Sequence, residues 1–348
     1  MTTLRVAVAT PLSEELCALI ERTEPRVELV REPSLLPPMR WPADYSGDPS
    51  FARTLEQQAA FEALIDEADA LYGIPDVDPA ALARAVRANP RLRWVQTMAA
   101  GGGAQVRAAG LDDSELGRVA FTTSAGVHGA PLAEFALLGV LAGAKGLVRL
   151  QRDQAARTWP GRWTMGQLAE QTVLVLGFGG IGERTARILS ALGATVIATS
   201  RSVTHTDFPV ELVHPDRLIE VAPRAHAIVN TLPGTDATNG LLGAELLGAA
   251  RDGVTVVNVG RGTVVDEEAL IAGLRSGRVG YAALDVVAVE PLAADSPLWG
   301  LENVLISPHT AALSHGEERA IAELFADNAR RLLDGEPLRN RVNTVEFY

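Results

Sequence analysis

Three glycines with a fixed spacing stand where an apolar strand runs into a helix. Gly177, Gly179 and Gly182 directly follow the apolar residues 173–176 and precede ERTARILSALG, a segment with helical periodicity. In this strand-turn-helix context the spacing is the Gly-x-Gly-x-x-Gly fingerprint, in which the backbone approaches a pyrophosphate and the helix amides bind it. The sequence therefore predicts a dinucleotide site here, the alternative being a glycine turn with only a backbone role.

The strand after this helix ends in Ser200, Arg201 and Ser202. About 20 residues beyond the glycines, a dinucleotide fold usually carries an acid that binds the ribose hydroxyls. No carboxylate stands here to repel a 2′-phosphate, and a guanidinium with two hydroxyls suits one. We therefore expect NADPH to be preferred, with NAD as a further cofactor that the site can use. The alternative is a surface arginine that leaves the site tolerant of both cofactors.

Four polar residues follow further predicted strands: Arg261 in VVNVGRG, Asp285 and Glu290 in ALDVVAVEPL, and His309 in VLISPH. Ligands collect at the carboxyl ends of the strands in an open parallel sheet, so we expect these side chains to converge on one cleft. Taken singly, each has a plain structural explanation. Arg261 would form a surface ion pair, Glu290 would lie on a solvated turn, and His309 would be hydrogen-bonded locally.

Strands and helices alternate along the chain, which predicts α/β domains with parallel sheets covered on both faces. The length of 348 residues favours two domains of roughly 150 residues each. We expect two Rossmann-like domains with a cleft between them. The substrate-binding domain is flavodoxin-like and discontinuous, at 1–121 and 311–348, and the dinucleotide-binding Rossmann domain lies at 122–310. The last helix, within GEERAIAELFADNARRLLDGE, crosses back to the first domain.

Two segments interrupt this regular order. Residues 32–54 are rich in proline and polar residues and predict a long loop, whose Trp41 and Tyr45 either reach a ligand or anchor the loop. One long helix is predicted at about 132–154, with Pro131 in its first turn. Because this helix is apolar on more than one face, we expect it to form the interface of a homodimer.

The composition disfavours several classes of protein. Acidic residues outnumber basic ones 43 to 31, and the net charge of −12 opposes nucleic-acid binding. One cysteine and six scattered histidines support neither a disulfide framework nor a metal site. The N-terminus lacks the features of a signal peptide. The longest apolar stretch is interrupted by Glu134 and Lys145 and falls short of the roughly 20 residues of a bilayer span. We therefore expect a cytoplasmic protein without a membrane span.

Taken together, the motifs resemble the D-isomer-specific 2-hydroxyacid dehydrogenase family, in particular its glyoxylate and hydroxypyruvate reductases. The resemblance rests on LGFGGIG, NTLPGTDATNGLLG, VNVGRGTVVDEEAL, LDVVAVEPL and SPHTA, in the family's order and approximate spacing. It extends more weakly through WVQTMAAGGG, at the substrate loop, and GVHGAPLAEFAL, at the interdomain helix, and so covers nearly the whole chain.

The resemblance implies an oxidoreductase that reduces a small 2-oxo acid to the D-2-hydroxy acid with hydride from NAD(P)H. His309 is then the general acid that gives a proton to the ketone oxygen, and Glu290 orients the imidazole and favours its charged form. Arg261 holds the substrate carboxylate and polarises the carbonyl. Asp285 binds the nicotinamide carboxamide.

The resemblance also implies the remaining contacts. The predicted cofactor-binding residues are Gly177, Gly179, Gly180, Ile181, Gly182, Ser200, Arg201, Ser202, Thr231, Leu232, Pro233, Val259, Gly260, Arg261, Asp285 and His309. The predicted substrate-binding residues are Ala99, Ala100, Gly101, Arg261 and His309, the first three through their backbone amides. For the loop at 99–101 the alternative is a turn that binds nothing.

A few residues depart from the family pattern. Ser200 replaces the acidic residue after the nucleotide strand, and Gly103 stands where an aspartate is often found. The stretch TMAAGGG contains no arginine, and we expect no regulatory domain after the last helix, which disfavours a 3-phosphoglycerate dehydrogenase. Glu290 disfavours a formate dehydrogenase, which carries glutamine at that position.

Two other functions are compatible with these motifs. Some transcriptional corepressors resemble the family and keep its Arg, Glu and His set, so one alternative is a dinucleotide-sensing scaffold without significant turnover. The other is an enzyme of the same fold that acts on an amino acid or a phosphonate. The motifs do not identify the 2-oxo acid, because glyoxylate, hydroxypyruvate, pyruvate and phenylpyruvate all share the carboxylate and the ketone. The wall at 37–45 would decide among them.

Overall fold

Each of the two units of the chain is built on one parallel β-sheet. The computed structural model describes residues 3–345 and Phe347. One unit comprises Met1–His128 and Leu313–Tyr348, and the other comprises Gly129–Ala312. The predicted domain limits lie a few residues before these divisions. Parallel sheets covered by helices are the α/β class predicted from the alternation of elements, so the fold class is confirmed.

The first unit has a five-stranded sheet with the order β2-β1-β3-β4-β5. Its strands are β1 (Leu4–Val8), β2 (Val27–Val30), β3 (Ala70–Tyr72), β4 (Trp94–Gln96) and β5 (Ala120–Thr122). The helices between them are α1 (Glu14–Thr23), α2 (Leu55–Asp66), α3 (Pro79–Ala88), α4 (Gly103–Ala108) and α5 (Asp113–Arg118). The central strands are buried on both faces, as expected for parallel strands between helical layers.

The second unit has a seven-stranded sheet with the order β12-β11-β10-β9-β6-β7-β8. Its strands are β6 (Thr172–Leu176), β7 (Thr195–Thr199), β8 (Glu211–Val213), β9 (Ala227–Asn230), β10 (Val254–Asn258), β11 (Val279–Leu284) and β12 (Val304–Ile306). Its helices are α6 (Gly129–Lys145), α7 (Leu147–Ala155), α8 (Gly180–Ala191), α9 (Leu218–Val221), α10 (Ala244–Ala249) and α11 (Glu267–Ser276).

Alternate residues of each central strand of this sheet pack against different helices. Along β6, Val173 and Val175 join a cluster with Leu189 of α8, whereas Leu174 and Leu176 join a cluster with α9, α10 and α11. Side chains of a strand point to opposite faces in turn, so both faces must be apolar when both are covered. This explains why these strands are continuous apolar runs in the sequence.

The last helix, α12 (Glu317–Asp334), belongs to the first unit. Its Phe325 is fully buried and stacks on Trp94 of β4, with 4.5 Å between the ring centroids. Phe325 also packs edge-to-face with Tyr72 of β3, with 5.0 Å between the ring centroids. The chain therefore returns to the sheet where it began, and α12 covers one face of that sheet.

The single helix predicted at 132–154 is wrong, because the segment forms two helices, α6 and α7, bent by 67° at their junction. Gly146 lies between them with a φ of +65°, and a Cβ at this position would lie 2.9 Å from the Trp163 ring. A left-handed residue ends a helix, and glycine adopts this conformation without strain. Among the described residues, no single helix is both long enough and apolar enough to cross a membrane. Only α6 and α7 taken together have the necessary length and composition, and they are bent.

The long loop at 32–54 contains one short 3₁₀ turn, and the next helix, α2, was not predicted. The start of α2 has a sequence signal, because Thr54 and Gln57 form a reciprocal capping box. Within the loop, Tyr45 packs against the cluster that contains Tyr72. Burial raises the pKa of Tyr45 well above its usual range, so its hydroxyl stays protonated. This packing favours the role of Tyr45 as an anchor of the loop, while Trp41 stays exposed beneath the Arg40 guanidinium.

Candidate active site

The glycine turn lies where the strand order reverses, since β6 has β9 on one side and β7 on the other. Gly177 has a φ of +92°, and its amide donates to Thr199 Oγ1 at 2.8 Å. A Cβ on Gly182 would lie 2.1 Å from Gly177 O, whereas one on Gly179 would meet nothing within 4 Å. The turn is therefore closed against α8 and open at Gly179. The first amides of α8 are available at this opening, which fits a dinucleotide pyrophosphate.

The turn after β7 has the features expected of a site for a 2′-phosphate. Ser200 Oγ accepts hydrogen bonds from Ser202 N at 3.3 Å and Val203 N at 2.8 Å, which hold the turn in shape. Arg201 is exposed, and its guanidinium has no partner among the described residues. A cavity of about 290 Å³ adjoins the turn and is lined by Phe178, Glu183, Val203, His205, Thr206 and Asp207.

Two turns carry five further predicted cofactor contacts, which are Thr231, Leu232 and Pro233, expected at the adenosine end, and Val259 and Gly260. Thr231 Oγ1 donates to Leu176 O at 2.8 Å, which joins the turn after β9 to the end of β6. Leu232 N donates to Asn230 Oδ1 at 3.1 Å. A Cβ on Gly260 would lie 2.6 Å from Leu232 O, so the turns after β9 and β10 are in close contact.

His309 and Glu290 form a hydrogen-bonded pair, with 2.7 Å between His309 Nδ1 and Glu290 Oε2. Val287 N donates to the other carboxylate oxygen, Glu290 Oε1, at 3.3 Å. The side chains are 48% and 37% exposed, so both are accessible to a ligand. With Nδ1 occupied by the carboxylate, the imidazole presents Nε2, which has no hydrogen bond to any residue that the structure describes. The pair is therefore oriented for proton transfer at Nε2.

Asp285 is buried and supports the loop that carries His309. Its Oδ1 accepts hydrogen bonds from Ser307 Oγ at 2.6 Å and from the amides of Thr310 and Ala311 at 2.9 Å each. Its backbone oxygen accepts from His309 N at 2.9 Å. His309 has a φ of +54°, which is unfavourable for a side chain with a Cβ and is held here by these bonds. This supporting role was not predicted.

Arg261 lies in the turn after β10 and is exposed. Its Nη1 donates to Gly260 O at 2.9 Å, and no carboxylate of the described chain pairs with it, so the predicted alternative of a surface ion pair is absent there. The next residue, Gly262, has no room for a side chain, because a Cβ would lie 1.7 Å from Val287 O. The Nε and Nη2 atoms of Arg261 have no partner among the described residues and are available to bind an anion.

The structure brings Arg261, Glu290 and His309 to the same edge of one sheet. The turn of Arg261 contacts Val287 through Gly262, Val287 N is bonded to Glu290, and Glu290 is bonded to His309. The glycine turn lies at the same edge, after β6. In residues 3–345 and Phe347, no group of His, Cys, Asp or Glu side chains could hold a metal ion.

The loop at 99–101 lies in the first unit, after β4. The amides of Ala99, Ala100 and Gly101 donate to no residue in the described part of the chain, whereas Ala99 O accepts from Gly102 N at 3.2 Å and Thr97 Oγ1 at 3.2 Å. Three successive amides without an acceptor are donors of the kind that a carboxylate accepts from. The loop thus offers the donors that were predicted.

The sequence analysis missed Asn230 and Asn258, which close β9 and β10 and are fully buried. Asn230 Nδ2 donates to Asn258 Oδ1 at 2.8 Å. The available signal was an asparagine at the end of each of two apolar strands, AIVN and VTVVN. Buried amides at such positions need hydrogen-bond partners, which here are the turns that carry the predicted ligand contacts.

Comparison with known proteins gives consistent matches. Residues 137–311 match the model of the D-isomer specific 2-hydroxyacid dehydrogenase, NAD binding domain. A glyoxylate reductase of Aeropyrum pernix is 33% identical over 305 residues, which cover 82% of this chain and 87% of that protein. An (S)-sulfolactate dehydrogenase of Chromohalobacter salexigens is 33% identical over 217 residues, which cover 62% of this chain and 70% of that protein. Several other curated relatives are matched over only 40 to 59% of their own length.

A solved structure matches the whole chain. The D-isomer specific 2-hydroxyacid dehydrogenase of Xanthobacter autotrophicus Py2, in complex with NADPH and MES, has a TM-score of 0.78 and 29% identity, and the match covers 100% of both chains. The agreement of sequence and fold confirms the family, two Rossmann-like domains and a nicotinamide dinucleotide as cofactor. The chain therefore belongs to the D-isomer specific 2-hydroxyacid dehydrogenases, a family of NAD(P)-dependent oxidoreductases that interconvert 2-oxo and 2-hydroxy acids.

Proposed function

We propose that this protein reduces the ketone of a small 2-oxo acid to the D-2-hydroxy acid, with Arg261, Glu290 and His309 as its catalytic residues. The observation that carries the proposal is the bond of 2.7 Å between His309 and Glu290, at the sheet edge that also holds the glycine turn. When bound, the nicotinamide supplies the hydride, and the protein must supply the proton and the charge stabilisation.

His309 donates the proton from Nε2 to the ketone oxygen, because Nδ1 is held by Glu290. Glu290 stabilises the charged imidazole before the transfer and fixes the plane of the ring. In the direction of oxidation the same Nε2 removes the proton from the hydroxyl group. These roles need both side chains to be accessible, as they are.

Arg261 binds the substrate carboxylate and polarises the ketone, since its planar fork offers two parallel hydrogen bonds. We also assign the free amides of Ala99, Ala100 and Gly101 to the carboxylate, and thus substrate binding to the first unit. Asp285 is assigned to the nicotinamide carboxamide through Oδ2, because Oδ1 already accepts three hydrogen bonds within the protein.

A panel of 2-oxo acids tests the reaction. With NADPH we expect oxidation of the cofactor by at least one of glyoxylate, hydroxypyruvate, pyruvate and phenylpyruvate, and a product of D configuration wherever the product is chiral. The absorbance of NADPH and chiral chromatography measure the two outcomes. Cofactor binding without turnover on the whole panel would contradict the proposal and favour a dinucleotide-sensing scaffold.

Cofactor preference is expected to depend on Arg201. Replacing Arg201 with alanine removes a charge-assisted hydrogen bond to the 2′-phosphate, worth about 1.5–3 kcal/mol, which corresponds to about 10- to 100-fold in kcat/KM for NADPH. The same variant should keep its kcat/KM for NADH, since that cofactor lacks the phosphate. Arg275→Ala is the matched control, because Arg275 is also an exposed arginine of the second unit. A wild-type protein that strongly prefers NADH would refute this assignment.

We further propose a homodimer formed through α6 and the segment after it. One face of α6 is buried, where Gly139 and Gly143 contact Val257 and Thr255 of β10. On another face Leu138 is 48% exposed. Trp159, beyond α7, is 98% exposed. Large apolar side chains exposed to solvent in or after this helix pair are candidates for a subunit interface.

Light scattering tests the dimer. The wild type should have twice the mass of one chain, and Leu138→Glu should shift it towards the monomer, because a buried charge opposes association. Leu192→Glu is the control, since Leu192 is 51% exposed in the same unit but lies at the end of α8. A monomeric wild type, or a dimer unaffected by Leu138→Glu, would contradict the proposal.

A further inference from the structure

Asn258 and Asn230 join the ends of three neighbouring strands. Asn258 uses its full hydrogen-bonding capacity. Its Oδ1 accepts from Asn230 Nδ2 at 2.8 Å and Gly260 N at 3.1 Å, and its Nδ2 donates to Arg261 O at 3.2 Å and Val286 O at 3.5 Å. The strands β9, β10 and β11 are thus connected, at the edge of the proposed active site, by one buried side chain.

The two amides converge on Arg261. Its carbonyl oxygen accepts from Asn258 Nδ2 at 3.2 Å and from Asn230 Nδ2 at 3.5 Å. Its guanidinium is bonded to Gly260 O, and Gly260 is itself held through its amide by Asn258 Oδ1. Asn258 therefore fixes the backbone on both sides of the Arg261 Cα, while the Nε and Nη2 atoms of the guanidinium have no partner among the described residues.

Packing alone does not explain why two asparagines, and not two apolar residues, stand at these positions. Two apolar residues would fill the same space, whereas two buried amides require a satisfied network and specify one arrangement of the turns. The amides make no bond to the helices that cover the sheet. Their bonds outside the pair end on Leu232, Gly260, Arg261 and Val286, which all lie in the turns after strands.

We propose that Asn258, supported by Asn230, is a positioning residue that sets the Arg261 fork for the carboxylate of the 2-oxo acid. The proposal rests on the function assigned above to Arg261. Asn258 acts on the substrate side, through Gly260, Arg261 and Val286. Asn230 also holds Leu232 N, so it acts on the turn assigned to the adenosine end as well.

The two substitutions should therefore have different kinetic signatures. Asn258→Ser is expected to raise the KM for the 2-oxo acid by about 10- to 100-fold, the loss typical of a displaced binding group, and to raise the Kd for NADPH by a smaller factor, through Gly260. Asn230→Ser is expected to raise both the KM for the 2-oxo acid and the Kd for NADPH. Steady-state kinetics gives the first constant, and fluorescence titration of the cofactor gives the second.

A double-mutant cycle with Arg261→Ala separates positioning from general destabilisation. If Asn258 acts through Arg261, Asn258→Ser causes no further loss of kcat/KM in the Arg261→Ala background. The matched control is Asn89→Ser, which removes a fully buried amide bonded to Ile65 O and Ala68 O in the first unit. This control should lower the denaturation midpoint without a change in KM.

The outcomes separate the positioning role of Asn258 from the substrate-binding role proposed for Arg261. A loss that persists in full in the Arg261→Ala background, or an unchanged KM in Asn258→Ser, overturns the positioning role alone. An Arg261→Ala variant with wild-type kcat/KM overturns both proposals. If Asn258→Ser does not fold, Asn230→Ser enters the same cycle, since it removes the second bond to Arg261 O.

Discussion

Replacing His309 with alanine is expected to lower kcat for 2-oxo acid reduction by about 10²- to 10⁴-fold, the range for loss of a positioned general acid. Nε2 is the accessible nitrogen of the ring, and the alanine variant has no group that can give a proton to the ketone oxygen. The Kd for NADPH should change far less than kcat, because His309 is only one of the predicted cofactor contacts and the glycine turn does not depend on the imidazole. Stopped-flow kinetics and fluorescence titration measure the two effects.

Two controls sharpen this experiment. Glu290→Gln keeps an acceptor for Nδ1 but removes the charge, so its kcat should lie between those of the wild type and His309→Ala. His214→Ala should behave as the wild type, although His214 also pairs with a carboxylate, Asp216, at 3.1 Å in the same unit. Full activity of His309→Ala would refute the acid–base assignment.

Replacing Arg261 with alanine is expected to have the second large effect. Two charge-assisted hydrogen bonds to the carboxylate are worth about 1.5–3 kcal/mol each, so kcat/KM for the 2-oxo acid should fall by about 10²- to 10⁴-fold. Most of the loss should appear in KM, because the carboxylate is bound before and during the reaction. Initial rates at several substrate concentrations give both constants.

Arg261→Lys tests whether the planar fork matters as well as the charge. Lysine keeps the charge but offers no bidentate geometry, so this variant should recover only part of the loss. Added guanidinium should partly restore the alanine variant, which a simple structural defect would not allow. Equal activity of the lysine variant and the wild type would contradict bidentate binding.

Features that depend on local sequence were predicted well. The glycine turn needs only a strand, three spaced glycines and a helix, all close together in the chain. The buried strands of both units are continuous apolar runs, since parallel strands are covered on both faces. The pairing of His309 with Glu290 followed from the resemblance to the family, and the contact itself is present in the structure.

Features that depend on distant residues were missed. At the break, Gly146 lies against Trp163, which is well beyond the helix in sequence and leaves no room for a Cβ. In the sequence, Asn230 and Asn258 are simply the last residues of two apolar strands. Their pairing follows only from the strand order, in which β9 and β10 are neighbours. Tyr45 was given two roles, and its packing against the cluster that contains Tyr72, from a distant strand, favours the role of an anchor. Pairing between elements far apart along the chain is not encoded in a local pattern.

The bonds of Asp285 affect how variants of this residue must be interpreted. One of its carboxylate oxygens organises the segment in which His309 adopts a left-handed backbone. An Asp285→Ala protein would therefore lose the hydrogen bonds that hold the His309 segment, together with the proposed hydrogen bond to the nicotinamide. A low kcat of an Asp285 variant can therefore result from a misplaced His309 or from weak binding of the coenzyme. Measuring the Kd for NADPH beside kcat separates the two causes.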